Sequence, residues 1–286
     1  MEIDCNELKQ HARQTMRLTR PSFWVVALVF VLMTTGVSLV LGAIPYPTNK
    51  SGFSTLGMFA SILFALYSAV VNFGYKLWCL WTHRKLDPGV ESLTQGFSVA
   101  GRVIVMEANI YLRVMLWAML ASFAISFFLL PVAGPLSLLV SLAAVGVCVV
   151  VAYLRYALSP YLLADNPDAG PGPAIRHSVE LMRGWKLQLF KLRLSFIGWD
   201  LLGLALSMVV MFFFMSRLGL LDPAYLSSLG QMQYAYNALQ SSFMASLCTA
   251  AVTLPLTLWL MPYRGVAEAA FYDARLRAQQ ESAPTL

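Results

Sequence analysis

LMRGWKLQLFKLRLSFIGWDLL, residues 181–202, begins as a basic helical stretch and runs straight into an apolar one. Arg183, Lys186, Lys191 and Arg193 are spread through its first half, and from Leu194 nearly every side chain is apolar except Asp200. Two readings compete: a soluble basic surface beside a core helix, or a chain passing from a charged face into lipid. Just upstream, Ile175, Val179 and Met182 share one helical face, with Arg176, Glu180 and Arg183 on another. Gly184 permits a bend, and Trp185 suits a membrane interface. The stretch therefore reads as an in-plane helix, a glycine corner and a membrane crossing, its cations snorkelling to headgroup phosphates.

Composition supports the second reading. The 286 residues are 58% hydrophobic and 12% charged, where a soluble domain carries about 25% charge; mean hydropathy is +0.66. A water-soluble fold of this length could not cover its surface with so little charge. A helix needs roughly 20 apolar residues to cross the hydrocarbon, and six runs qualify: 23–44, 56–81, 111–132, 136–163, 194–216 and 243–261. The fourth is long enough to tilt or to continue into the cytoplasm. Alternating ten-residue strands are absent, which excludes a β-barrel. The expected fold is all-α: a polytopic membrane protein with six transmembrane helices plus amphipathic helices at its cytoplasmic face. Residues 1–22 read as a cytoplasmic amphipathic segment, 23–266 as the transmembrane domain and 267–286 as a cytoplasmic tail. The first twenty residues are too long and polar for a secretory leader, so the first apolar run reads as a retained anchor.

Orientation follows from the basic residues. Of 20 Lys and Arg, 18 fall on one side of the predicted spans, leaving only Lys50 and Arg217 opposite. Positive charge marks the inside, so both termini are expected in the cytoplasm. Outer connections are a short loop over 44–55, a tight turn at 131–135 and a longer segment, 218–242, carrying Tyr225, Tyr234 and Tyr236. Residues 4–19 are expected to lie on the membrane as an amphipathic helix, and 93–109 to lead into the third span as another. The four cysteines, Cys5, Cys79, Cys148 and Cys248, have no metal-ligand spacing and suggest no disulfide framework; Cys79, Cys148 and Cys248 lie in apolar runs and read as small hydrophobes.

RYALSPYLLADNP (155–167), AIRHSVELMRGWKLQLFKLRLSFIGW (174–199), MPY (261–263) and AAFYDARL (269–276) form a specific combination of words. With NELKQHAR near the start and the Gly96-Phe97 pair, the sequence resembles the domain of unknown function 975 family across most of its length. The resemblance implies a bacterial multi-pass membrane protein and brings no established activity. Its motif residues in this chain are Tyr156, Asp165, Ser178, Gly184, Phe190, Ser195, Gly198, Trp199, Pro262, Tyr263, Phe271 and Tyr272. Departures from the pattern are the long outer segment before span six, and Arg193 and Asp200 flanking LSFIGW.

Embedded ionisable residues are the default functional pointers in lipid. Arg155, Asp200, Arg264 and Glu268 form the candidate polar cluster, structural or ligand-binding, in which a pair such as Arg155 with Asp200 would neutralise buried charge while the actual pairing stays open; Glu107 and Arg113 precede or open span three. A structural clamp between spans four, five and six is favoured over a vestibule for an anionic or peptide ligand. His11, His83 and His177 occur singly, so no metal site is expected. Ser195 lacks a Gly-x-Ser-x-Gly turn, and no catalytic residue or cofactor is assigned. Pro255 and Pro262 are read as shaping the packing of span six, and Gly198 and Gly203 as permitting close helix approach. DNA binding would need a soluble basic fold, so nucleic acid is excluded. Partners are expected to be membrane lipids, anionic at the cytoplasmic face, and a membrane protein. The expected function is a non-enzymatic accessory to transport or envelope processes, or protection against membrane-active peptides, acting through lipid or protein contacts. A small-solute transporter or channel is the alternative, and a lipid-headgroup enzyme a third.

Overall fold

A computed structural model describes residues 5–18, 22–44, 54–129, 137–217 and 243–282. The predicted turn at 131–135, the segment 218–242 and most of the loop over 44–55 lie outside the described residues.

Every element is helical. In chain order they are α1 (Cys5–Leu18), α2 (Phe23–Ala43), α3 (Thr55–His83), α4 (Ala100–Leu129), α5 (Ser137–Arg155), α6 (Ser159–Asp165), α7 (Pro171–Leu181), α8 (Lys186–Leu194), α9 (Ile197–Arg217) and α10 (Phe243–Ser282). Six helices are long and apolar enough to cross a membrane. The third begins earlier than hydropathy suggested, because Ser92–Gln95 and Gly96–Val99 wind directly into α4. The fourth ends at Arg155, and a turn redirects the chain into α6.

The segment 181–202 folds as its pattern suggests. α7 buries Ile175, Ser178 and Leu181, its C-cap Met182 is buried too, and Gly184 turns the chain at φ 81°, a left-handed conformation that glycine adopts without strain. Trp185 lies under the Arg275 guanidinium, 4.0 Å from ring centroid to cation. α8 follows, and a break at Ser195–Phe196 re-aims the chain into α9.

α10 is the axis of the bundle, packed against α1, α2, α3 and α9. It runs unbroken past Pro255 and Pro262 through the region read as a tail, burying Phe271 and Tyr272. The reason is local: AEAAFYDARLRAQQ has strong helical propensity and an apolar stripe. Proline is tolerated because neighbouring helices and serine or threonine side chains satisfy the freed groups. At Gly265, α10 approaches α3 so closely that a Cβ would lie 2.5 Å from Cys79 Sγ.

Packing is uneven along the bundle. The largest buried side chains, among them Trp78, Tyr161, Phe196, Tyr263 and Tyr272, all belong to the charged end. α1 joins this core, burying Ala12 and Met16, and sets Lys9 over the Phe196 ring and Arg13 over the Tyr263 ring. It therefore lies against protein. Toward the apolar end side chains such as Phe123, Leu142 and Val209 face outward, and α9 buries none of its residues. An apolar exterior is what a lipid solvent permits.

Candidate functional site

Among the described residues, two ionic networks of three or more side chains occupy the charged end, apart from an exposed Arg102–Asp168 pair. The first is centred on Arg84, in the turn after α3. Its guanidinium donates to Asp165 Oδ1 and Oδ2 at 2.6 and 2.8 Å, and to Asp273 Oδ2 and Oδ1 at 3.1 and 2.7 Å. Tyr272 Oη donates to Asp165 Oδ2 at 2.8 Å, and His83 Nε2 lies 3.5 Å from Asp273 Oδ2. The hydrogen bonds to Asp165, then to Asp273, raise the pKa of Arg84 further. One arginine thus ties α3, α6 and α10 with bidentate geometry, the strong form of such a pair.

The second group is a chain of charges between α8, α9 and α10. Arg193 donates to both Glu268 oxygens at 2.9 and 3.1 Å. Burial works against the Arg193 cation, but the charge and hydrogen bonds of Glu268 outweigh it and raise its pKa. Arg264 stands 3.7 Å from Glu268 Oε1 and 3.7 Å from Asp200 Oδ2. These distances are ion pairs without hydrogen bonds. Asp200, Arg264 and Glu268 face a cavity of about 540 Å³ between α3, α9 and α10, with Lys76 and Asn72 on the α3 wall and Tyr161 also lining it. Leu256, Leu260 and Trp199 supply apolar walls.

The predicted cluster is thus assembled in part. Asp200, Arg264 and Glu268 come together, but Arg155 does not pair with Asp200. It ends α5, makes no ion pair among the described residues, and its buried Nε has no hydrogen-bond partner. Depth along a helix says nothing of the direction a side chain takes around it. Arg264 is the partner of Asp200 instead, and Arg193 joins the group through Glu268.

The motif residues scatter over several tasks. Asp165 and Tyr272 belong to the Arg84 group. Tyr156, Phe271 and Tyr263 are buried, Tyr263 edge-on to Phe196 at 5.0 Å. Ser178 Oγ donates to the Arg155 carbonyl, Ser195 Oγ to that of Leu192 within its own turn. Trp199 stands edge-on to Trp259 at 5.0 Å, and Pro262 lies within α10. Phe190 is partly exposed. Gly198 has no neighbour within contact of a Cβ, whereas at Gly203 a Cβ would meet Leu256 at 3.3 Å. Of these two glycines, only Gly203 marks a close approach.

The Arg84 group escaped sequence reasoning. Its partners are separated by 81 and 189 residues, so spacing carried no signal, although Asp165 and Tyr272 stood in the motif words. Arg275 escaped as well; it donates to the Leu181 carbonyl at 3.0 Å while stacked on Trp185. Among the described residues, no three histidine, cysteine or carboxylate side chains gather as a metal site requires.

A family model described as "Protein of unknown function (DUF975)" matches residues 1–279. Neither a curated protein nor a solved structure matches the chain.

Proposed function

The chain belongs to the DUF975 family, and from that premise, which names no activity, we propose a non-catalytic protein of a bacterial cytoplasmic membrane that acts by holding phospholipid headgroups. The site is the vestibule beside Asp200 and Arg264. One observation carries the reading: a cavity of about 540 Å³ sets Lys76 and Arg264 against Asp200 and Glu268 at the end of the bundle where the apolar spans stop. Opposite charges around one cavity suit a zwitterion, and the cavity lies within the usual range of about 300–1,000 Å³ for ligand sites. The imbalance of basic residues supports a cytoplasmic charged end with both termini inside. Exposed Arg176, Arg183 and Lys191 add attraction to anionic lipid, about 1 kcal/mol each. Lipid held there fits an accessory to transport or envelope processes, or protection against membrane-active peptides, with a membrane protein as a further partner.

Native mass spectrometry of the purified chain tests this. Wild type should retain phospholipid that Lys76→Ala and Arg264→Ala release, at unchanged fold; equal retention by all three would overturn it. The same cavity also favours a small-solute transporter as a second reading. Solute flux into liposomes that Asp200→Asn abolishes would replace the first reading by the second.

A further inference from the structure

The vestibule does not end at its charged mouth. A second cavity of about 420 Å³ lies farther along the bundle between α2, α9 and α10, and shares Ser207 and Thr253 with the first. On α10 the residues facing the two cavities form one stripe that includes Ser246, Thr249, Thr253, Thr257, Arg264 and Glu268. From Ser246 to Glu268 this stripe extends about 33 Å at 1.5 Å per residue, against a hydrocarbon core of about 30 Å. α9 answers with Asp200, Gly203, Ser207 and Met211, each one turn beyond the last.

The hydroxyls of this seam share one chemistry. Thr249, Thr253 and Thr257 donate to the carbonyl four residues back at 2.8, 2.8 and 2.9 Å, and Ser207 donates to Gly203 at 2.9 Å. With the proton committed, each oxygen offers only lone pairs. The seam is a track of acceptors, suited to an N–H-bearing group, and its mouth supplies Lys76 and Arg264 for an anion. A further observation points to an occupant: α2 is wound as a π-helix over Leu32–Gly36, where Thr35 reaches the second cavity, and π-turns gather at functional sites.

Among the described residues α9 packs substantially against α10 alone, so the seam lies open beside it toward the surrounding medium. A path for free solutes needs walls all round. A furrow open on one side lets a headgroup travel inside while its acyl chains remain in lipid.

We infer that the α9–α10 seam carries zwitterionic aminophospholipid headgroups between the two leaflets, the phosphate received by Lys76 and Arg264 and the ammonium passed along the hydroxyl oxygens. No covalent bond is made or broken. This deepens the headgroup reading above and rests on it.

The test is lipid exchange in vesicles. The full chain is reconstituted with phosphatidylethanolamine labelled on an acyl chain, and an impermeant reductant is added outside. Protein-free vesicles should lose only the outer-leaflet signal, and vesicles with wild-type protein the inner one too. Ser207→Leu, which fills the shared waist, and Thr253→Val, which keeps shape but removes the lone pairs, should each slow inner-leaflet loss about tenfold, a barrier change of about 1.4 kcal/mol. Unchanged melting in detergent verifies the fold of both, and Thr253→Val stands alone if Ser207→Leu does not fold. Wild-type vesicles that bleach like protein-free ones, or a Thr253→Val protein as fast as wild type, would overturn the inference. So would escape of an entrapped water-soluble dye, which means a solute pore. A protein that retains lipid at the vestibule but exchanges none between leaflets sinks this inference and leaves the headgroup site standing.

Discussion

Arg84 meets Asp165 and Asp273 through four hydrogen bonds of 2.6 to 3.1 Å, whereas Arg264 reaches Asp200 and Glu268 only at 3.7 Å. Both groups sit at the charged end, and both join helices distant in sequence. The Arg84 group is saturated: every guanidinium nitrogen is used, and Tyr272 occupies a further lone pair of Asp165. The Arg264 group is slack, borders a cavity, and leaves the Asp200 side chain 47% exposed. A saturated group has nothing left to give a ligand, and its removal strands buried charge. A slack one can exchange partners at little cost. The same residue types thus make a clamp in one place and a receptive site in another, and hydrogen-bond completeness tells them apart.

Substitutions graded by that difference should separate the two. Arg84→Leu strands two carboxylates and should lower stability in detergent by about 3 kcal/mol, at the low end for a broken buried pair because the side chains are partly exposed. A thermal melt checks it, and an unshifted melt would dissolve the distinction. Gly265→Ala, which drives a methyl into Cys79 where α3 and α10 touch between the two groups, should cost about 2 kcal/mol by overpacking. Asp200→Leu should move the melt by less than about 1 kcal/mol, as exposed pairs do, yet reduce the lipid retained in native mass spectra. Arg155→Leu should have the smallest effect, near zero, since no ion pair is lost; a fall as large as that of Arg84→Leu would restore Arg155 to the clamp.

What the sequence revealed follows the range of the forces involved. Hydropathy is a local sum, so the six spans, the glycine corner at Gly184 and the buried face of Ile175 and Met182 could be read directly. The helical continuation of α10 past the sixth span was not legible, because Glu268, Asp273 and Arg275 look like a solvated tail; each is in fact partnered by a residue far away in the chain. The candidate site shows the same limit. Depth along a helix grouped Asp200, Arg264 and Glu268 correctly, but the angle around α5 decides where Arg155 goes, and no spacing encodes it. The hydroxyl stripe of Thr249, Thr253 and Thr257 was visible at i, i+4 and passed unnoticed, because serine and threonine in apolar helices ordinarily bond their own backbone. They do so here; what matters is the space they face.

The central claim is that the slack group binds headgroups and the saturated one only holds helices. A ligand bound to the folded state raises the melting temperature with its concentration, so the decisive measurement is the melt of delipidated protein titrated with phosphatidylethanolamine in detergent. Wild type and Arg84→Lys should rise in parallel, the variant from a lower start, while Lys76→Ala and Arg264→Ala should start near wild type and stay flat. A rise that survives in Lys76→Ala and Arg264→Ala, or that vanishes in Arg84→Lys, would contradict the account.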